Sequence, residues 1–227
     1  RKRTHYVTPN ASGVREYAPG DAFNRIHWRS TARTGELMVK TFELDPASDI
    51  WVILDLEKRV NAGQEEESTE EYGVRIAASV ARHYLVDNRP VGLIMFGRDL
   101  RVLEAERGGQ QLTRVLETLA TAKAVGDAPL GNLLMEEQRR FGRHTTLVVV
   151  TSATDDHWLT AIQSLTQRGV RAAVVLMDPS TFGGDRSPLL LFGQLTASDI
   201  MTYVVRQGDD LGLALSATAA GAGAWQA

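Results

Sequence analysis

The feature that most constrains this chain is Ile50-Trp51-Val52-Ile53-Leu54, a continuous apolar run. It is too short for a buried helix and rich in β-branched and aromatic residues, so it reads as a strand covered on both faces. Similar runs follow at Val91 to Phe96, Thr146 to Val150 and Val170 to Met177. Between them the apolar spacing becomes that of amphipathic helices. Ser68-x-x-Glu71 offers a capping box ahead of Tyr72, Ile76, Val80 and Tyr84, and this helix ends near Asn88 before Pro90. Leu112, Val115, Leu116 and Leu119 mark a second helix. Leu130, Leu133, Leu134 and Phe141 mark a third, and Trp158, Ile162 and Leu165, closed by Gly169, mark a fourth.

Buried strands joined through helices predict an α/β fold, a doubly wound and mainly parallel sheet covered on both faces. Gly97-Arg98-Asp99 turns the second strand into a short one at Leu100 to Leu103, which supplies an antiparallel edge. Residues 179–188 read as a surface loop. A last unit has a short helix near Leu189 to Leu195, a strand at Met201 to Val205 and a helix opening at Asp209. The expected organisation is a basic, β-rich appendage at 1–45, the α/β domain at 46–217 and an Ala/Gly-rich tail at 218–227.

Composition excludes more than it selects. With 43% hydrophobic and 23% charged residues the chain is globular, and with no cysteine it has no disulfide, thiolate nucleophile or cysteine metal site. The net charge of -3 is unevenly spread, because residues 1–40 hold eight Lys/Arg against three Asp/Glu. Arg1-Lys2-Arg3 reads either as a juxtamembrane basic cluster or as a solvated end. No apolar run reaches the length needed to span a bilayer.

The carboxyl ends of strands are where such sheets bind ligands. Here they are Asp55 to Arg59, Asp127 to Gly131 and Thr151 to Asp156. The first has no glycine, and no Gly-Lys-Ser/Thr phosphate loop occurs anywhere, which argues against nucleotide binding. His5, His27, His83, His144 and His157 are not at metal-ligand spacing from one another, and no Gly-x-Ser-x-Gly nucleophile motif is present. The enzymatic option left is a hydrolase using His27 or Asp155 as base. Structural readings compete at the acids, with Asp55 capping a turn and Asp155 capping the next helix. The mix of Arg, Tyr and Trp between Arg15 and Arg33 has three readings: a packed appendage, a protein-binding surface, or a nucleic-acid surface, the last disfavoured by the acidic overall charge.

That segment carries a resemblance. Arg15-Glu16-Tyr17-x-Pro19-Gly20-Asp21, Arg25-Ile26-His27-Trp28 and Ser30 to Lys40 resemble the signature of the bacterial family called domain of unknown function 58. The remainder, including Val205 to Leu211, is similar to a von Willebrand factor type A-like domain. In such domains an acid ends the first strand, with hydroxyls two and four residues later to hold a divalent cation. Asp55 stands in that place, but the hydroxyl positions are Glu57 and Arg59, the second loop reads Pro129-Leu130 and the third Ser152-Ala153.

The resemblance implies a non-enzymatic adaptor or scaffold at the cytoplasmic face of a bacterial membrane, working with a MoxR-type AAA+ ATPase and other membrane-complex proteins. Membrane attachment would come through a segment outside this chain, and no nucleic acid is implied. Arg15, Tyr17, Asp21, Arg25, Trp28 and Arg33 are the candidate interaction surface, with no catalytic residue and no cofactor expected. The alternative is divalent-metal-dependent ligand binding, with magnesium at a degenerate site of Asp55, Glu57 and Asp155.

Overall fold

A computed structural model describes residues 14–18, 26–40 and 48–216. Two compact units emerge, Asp45–Ala214 and the remainder of the chain. In the smaller one, β1 (Val14–Glu16) pairs antiparallel with β2 (Met38–Lys40), and between them lies α1 (Trp28–Thr34). This helix is absent from the sequence reading of a β-rich appendage. It is capped by His27, whose Nδ1 accepts from Ser30 N–H at 3.2 Å, and it ends at Gly35 with φ 80°. Asp21 and Arg25 lie outside the described residues.

The larger unit contains β3 (Asp49–Asp55), a small hairpin of β4 (Gly63–Gln64) and β5 (Glu67–Ser68), α2 (Thr69–Val86), β6 (Val91–Phe96) and β7 (Leu100–Glu106). It continues through α3 (Gly109–Leu119), α4 (Leu130–Glu137), β8 (Thr145–Thr151), α5 (Leu159–Gln167), β9 (Arg171–Met177), α6 (Leu189–Ala197) and β10 (Met201–Val205), and its end at Ala214 falls within α7 (Leu211–Ser216). Six strands form one sheet in the order β10-β9-β8-β3-β6-β7. All neighbours are parallel except β6 and β7, the antiparallel edge expected from the hairpin.

Alternation along the central strand explains the two-faced core. Trp51 and Ile53 point toward Leu134, Phe141, Trp158, Ile162 and Leu165, the buried faces of α4 and α5 and their flanks. Leu54 faces α2 instead, where a Cβ on Gly73 would lie 2.9 Å from its Cδ1. Gly92 is required on β6, because a Cβ there would sit 2.7 Å from the Trp51 ring. The β6–β7 register shifts between Val91 and Leu93, so the edge pair carries a bulge beside this glycine.

Four local expectations need correction. Ser68 Oγ does accept from Glu71 N–H at 3.2 Å, but the Glu71 carboxylate accepts from Arg75 Nε and does not complete the capping box. The third helix stops at Glu137, and Phe141 follows a 3₁₀ turn at Gln138–Arg140. The 179–188 segment is not wholly a surface loop, since Pro179–Phe182 forms a 3₁₀ turn that buries Phe182 against Tyr72, ring centroids 4.9 Å apart. Asp155 caps the turn before α5, not the helix itself: its Oδ1 accepts from His157 N–H at 3.2 Å, and Trp158 is the N-cap.

Candidate functional site

Parallel pairing of β3 with β8 brings Asp55 and Thr151 to the same level, one step past the Leu54–Val150 pair. Asp55 is only 3% exposed and Thr151 is fully buried. Thr151 Oγ1 donates to Asp55 Oδ2 at 2.6 Å, and Glu57 N–H donates to Asp55 Oδ1 at 3.1 Å, the turn-capping role expected of this acid. Ala153 N–H in turn donates to Thr151 Oγ1 at 2.9 Å. Burial pushes the Asp55 carboxyl from 3.8 up to about 6, opposed by the two hydrogen bonds and reinforced by the charges of Glu57 and Asp155.

The loop after β3 is held on several sides. Lys58 N–H donates to Gly126 O at 2.9 Å, and Gly126 N–H donates to Leu56 O at 3.0 Å. A Cβ on Gly126 would come within 2.5 Å of Phe96 O, so only glycine allows the second loop this close to the strand ends. Asn61 Nδ2 donates to Glu57 O at 2.9 Å, while Thr69 Oγ1 donates to Asn61 Oδ1 at the same distance. Ser152 Oγ donates to Val60 O at 2.8 Å, fixing the first loop to the third.

These loops border an open cleft of about 1000 Å³. Glu57 and Arg59 come from the first, Leu130 and Gly131 from the second, and Ser152 and Asp155 from the third. Gly184 to Arg186, beyond β9, close a further side. Glu57 is 8% exposed, although Arg59 and Arg186 are exposed. Burial raises the Glu57 pKa above its usual value, Arg59 opposes that rise and Asp155 adds to it.

The structure therefore places Asp55, Glu57 and Asp155 close enough to feel one another electrostatically. Both Asp55 oxygens already accept internal donors, and Arg59 stands in the sequence where such sites carry a hydroxyl, so this donor set is poorly suited to a hard divalent cation. Among the described residues, no group of three or more histidine or carboxylate side chains is arranged to hold a metal ion. His27 is engaged in capping α1 and hydrogen-bonds Ser30 Oγ at 2.7 Å. Of the candidate surface in the smaller unit, Arg15 and Arg33 are exposed, Tyr17 is half-buried, and Trp28 is 68% exposed.

Sequence reasoning missed Asn61, Thr69 and Arg186, and it named Thr151 and Ser152 at the strand end without their hydrogen bonds to Asp55 and Val60. Thr151 stood in plain view at the end of the most β-branched strand, where parallel pairing with β3 puts it beside the acid. Arg186 gave no signal, since nothing in a polar loop reveals that it returns to the sheet end.

The family model described as "Protein of unknown function DUF58" matches residues 13–182. The chain belongs to this family. Among curated relatives of this chain, the uncharacterized protein YeaD of Bacillus subtilis is 29% identical over 142 residues, covering 62% of this chain and 34% of that protein. The uncharacterized protein Rv1480 of Mycobacterium tuberculosis is 26% identical over 172 residues, covering 73% and 54%. The chain thus spans between about a third and about half of these relatives.

Solved structures establish the fold. A conserved hypothetical protein, BatB, from Bacteroides thetaiotaomicron aligns with TM-score 0.56 at 13% identity, covering 75% of this chain and 95% of that one. An aerotolerance-related membrane protein from Bacteroides fragilis gives 0.53 at 18%, covering 75% and 96%. Proximal thread matrix protein 1 from the mussel byssus gives 0.53 at 11%, covering 78% and 48%. The shared architecture is von Willebrand factor type A-like.

Proposed function

We propose that this chain is a non-enzymatic interaction domain, an adaptor or scaffold for a MoxR-type AAA+ ATPase at the cytoplasmic face of a bacterial membrane. The observation that carries this reading is the chemistry at the carboxyl end of the sheet. The acid expected to hold a cation is committed to Thr151 and to the Glu57 backbone, while an open, mixed-charge cleft lies beside it. The likeness to an aerotolerance-related membrane protein of Bacteroides fragilis supports membrane association.

In the smaller unit, Trp28 is the large exposed aromatic of the candidate surface, and tryptophan with arginine is the usual composition of a binding hot spot. The test is capture of the ATPase by the purified chain, with ATP or ADP and with magnesium or EDTA as separate arms. Capture that persists when the chain itself carries no metal is expected. Trp28→Ala should weaken it by about tenfold or more while leaving the melting temperature unchanged, because truncating an interface anchor costs about 2 kcal/mol or more. No capture under any condition would overturn the reading.

Divalent-metal-dependent ligand binding is the second reading, favoured by the proximity of Glu57 and Asp155 to Asp55. It requires the ion to displace the internal donors on Asp55.

A further inference from the structure

The cleft holds one group whose situation the fold does not account for. Glu57 is more than nine-tenths buried, lines the cleft, and its carboxylate makes no hydrogen bond or ion pair among the described residues. Its backbone is fully used, donating to Asp55 and accepting from Asn61, so the side chain is held in place, with the exposed Arg59 the one cation whose charge is felt there among the described residues. Neither carboxylate oxygen is among the fully buried polar atoms that lack a partner, so the group meets solvent at the cleft. Asp155, half-buried on the third loop, adds a second negative charge to the same space. The cleft's own cations, Arg59 and Arg186, are exposed and solvated, and neither forms an ion pair among the described residues. The least exposed charges lining the cleft are therefore negative.

We propose that this cleft receives an arginine or lysine side chain of a partner protein, its cationic head on Glu57 and Asp155 and its aliphatic stem against Leu130, Met135 and Ala161. The match is chemical on both counts. Two neighbouring carboxylates suit the planar fork of a guanidinium, and apolar walls suit the methylene stem that carries it. A metal ion would demand a converging set of ligands, and no group of three or more histidine or carboxylate side chains is so arranged among the described residues. The proposal deepens the interaction reading and rests on it: the partner itself brings the positive charge that a type A-like fold usually borrows from an ion.

The test titrates N-acetyl-L-arginine methylamide, and its neutral isostere N-acetyl-L-citrulline methylamide, onto the ¹⁵N-labelled chain. Saturable shifts at the amides of Glu57, Gly131 and Asp155 are expected with the arginine probe, and binding at least about tenfold weaker with citrulline, as for loss of a charge-assisted pair. Glu57→Gln should abolish that preference while its melting temperature stays equal to or above the parent's, because it removes a buried charge. Equal affinity for the two probes, no saturable shift, or an arginine preference that survives Glu57→Gln would overturn the assignment. So would a fall in melting temperature, which would mean that the carboxylate is paired internally. The two readings fail separately: the probe titration judges the cleft whatever the ATPase does, and absent ATPase capture overturns only the adaptor role.

Discussion

Replacing Thr151 by valine removes one hydroxyl from a fully buried position and keeps the side chain's shape. The hydroxyl donates to Asp55 Oδ2 at 2.6 Å and accepts from Ala153 N–H at 2.9 Å. Losing a hydrogen bond to a buried charge costs about 1.5–3 kcal/mol, and orphaning a backbone donor about 1 kcal/mol more. A loss of about 3 kcal/mol is therefore expected at pH 7.5, a large fraction of the ordinary 5–15 kcal/mol margin of a domain. The effect depends on pH in a defined direction. With its folded pKa raised from 3.8 to about 6, Asp55 binds its proton more tightly in the folded state. Its contribution to stability is complete below about 3.8 and disappears as pH rises through about 6, a span worth on the order of 3 kcal/mol. Thr151→Val raises that pKa further, because the bond it deletes favours the charged form. At pH 4.5 the folded carboxyl is neutral in both proteins, and the cost should shrink to about 1 kcal/mol. Urea unfolding followed by tryptophan fluorescence at the two pH values measures this. A pH-independent cost, or one below about 0.5 kcal/mol at pH 7.5 where a surface substitution would fall, would refute the account of Asp55.

Two further outcomes test the frame around the site. Gly92→Ala should destabilise the larger unit by about 1–3 kcal/mol, since its Cβ would press on the Trp51 ring, and a thermal melt equal to the parent's would show that the ring can yield. Millimolar magnesium or manganese should leave the melting temperature unchanged. A ligand at a hundred times its Kd would stabilise by about 2.7 kcal/mol, so a clear rise would restore the metal-dependent reading.

Much of the fold was legible because the informative signals were local. The run at Ile50 to Leu54 became β3 with a residue added at each end, and Met201 to Val205 became β10 with no change of limits. The edge strand β7 proved longer than expected because its added end carries the exposed Glu104 and Glu106, which break the apolar pattern without breaking the pairing. Helix α1 escaped notice because its face is mostly polar, and only His27, an uncommon cap, starts it. At the cleft, the three loops could be named from strand ends alone. Their internal hydrogen bonds could not, since Thr151 to Asp55 and Ser152 to Val60 join residues more than ninety positions apart. The unmatched state of Glu57 is likewise a property of tertiary burial, and its residue type alone carries no trace of it.

The strand order has a consequence for how the chain is made. β3 lies between β6 and β8, and the first of these follows it closely while the second comes far later. A nascent chain that has paired β3 with β6 still presents the other edge of β3, with Val52, Ile53 and Leu54, to whatever surrounds it. At about 5–20 residues per second, the stretch from Phe96 to Thr151 takes roughly 3–10 s to synthesise. Throughout that interval the buried central strand of the domain has an open flank, and nascent-chain binders at the ribosome would find it there.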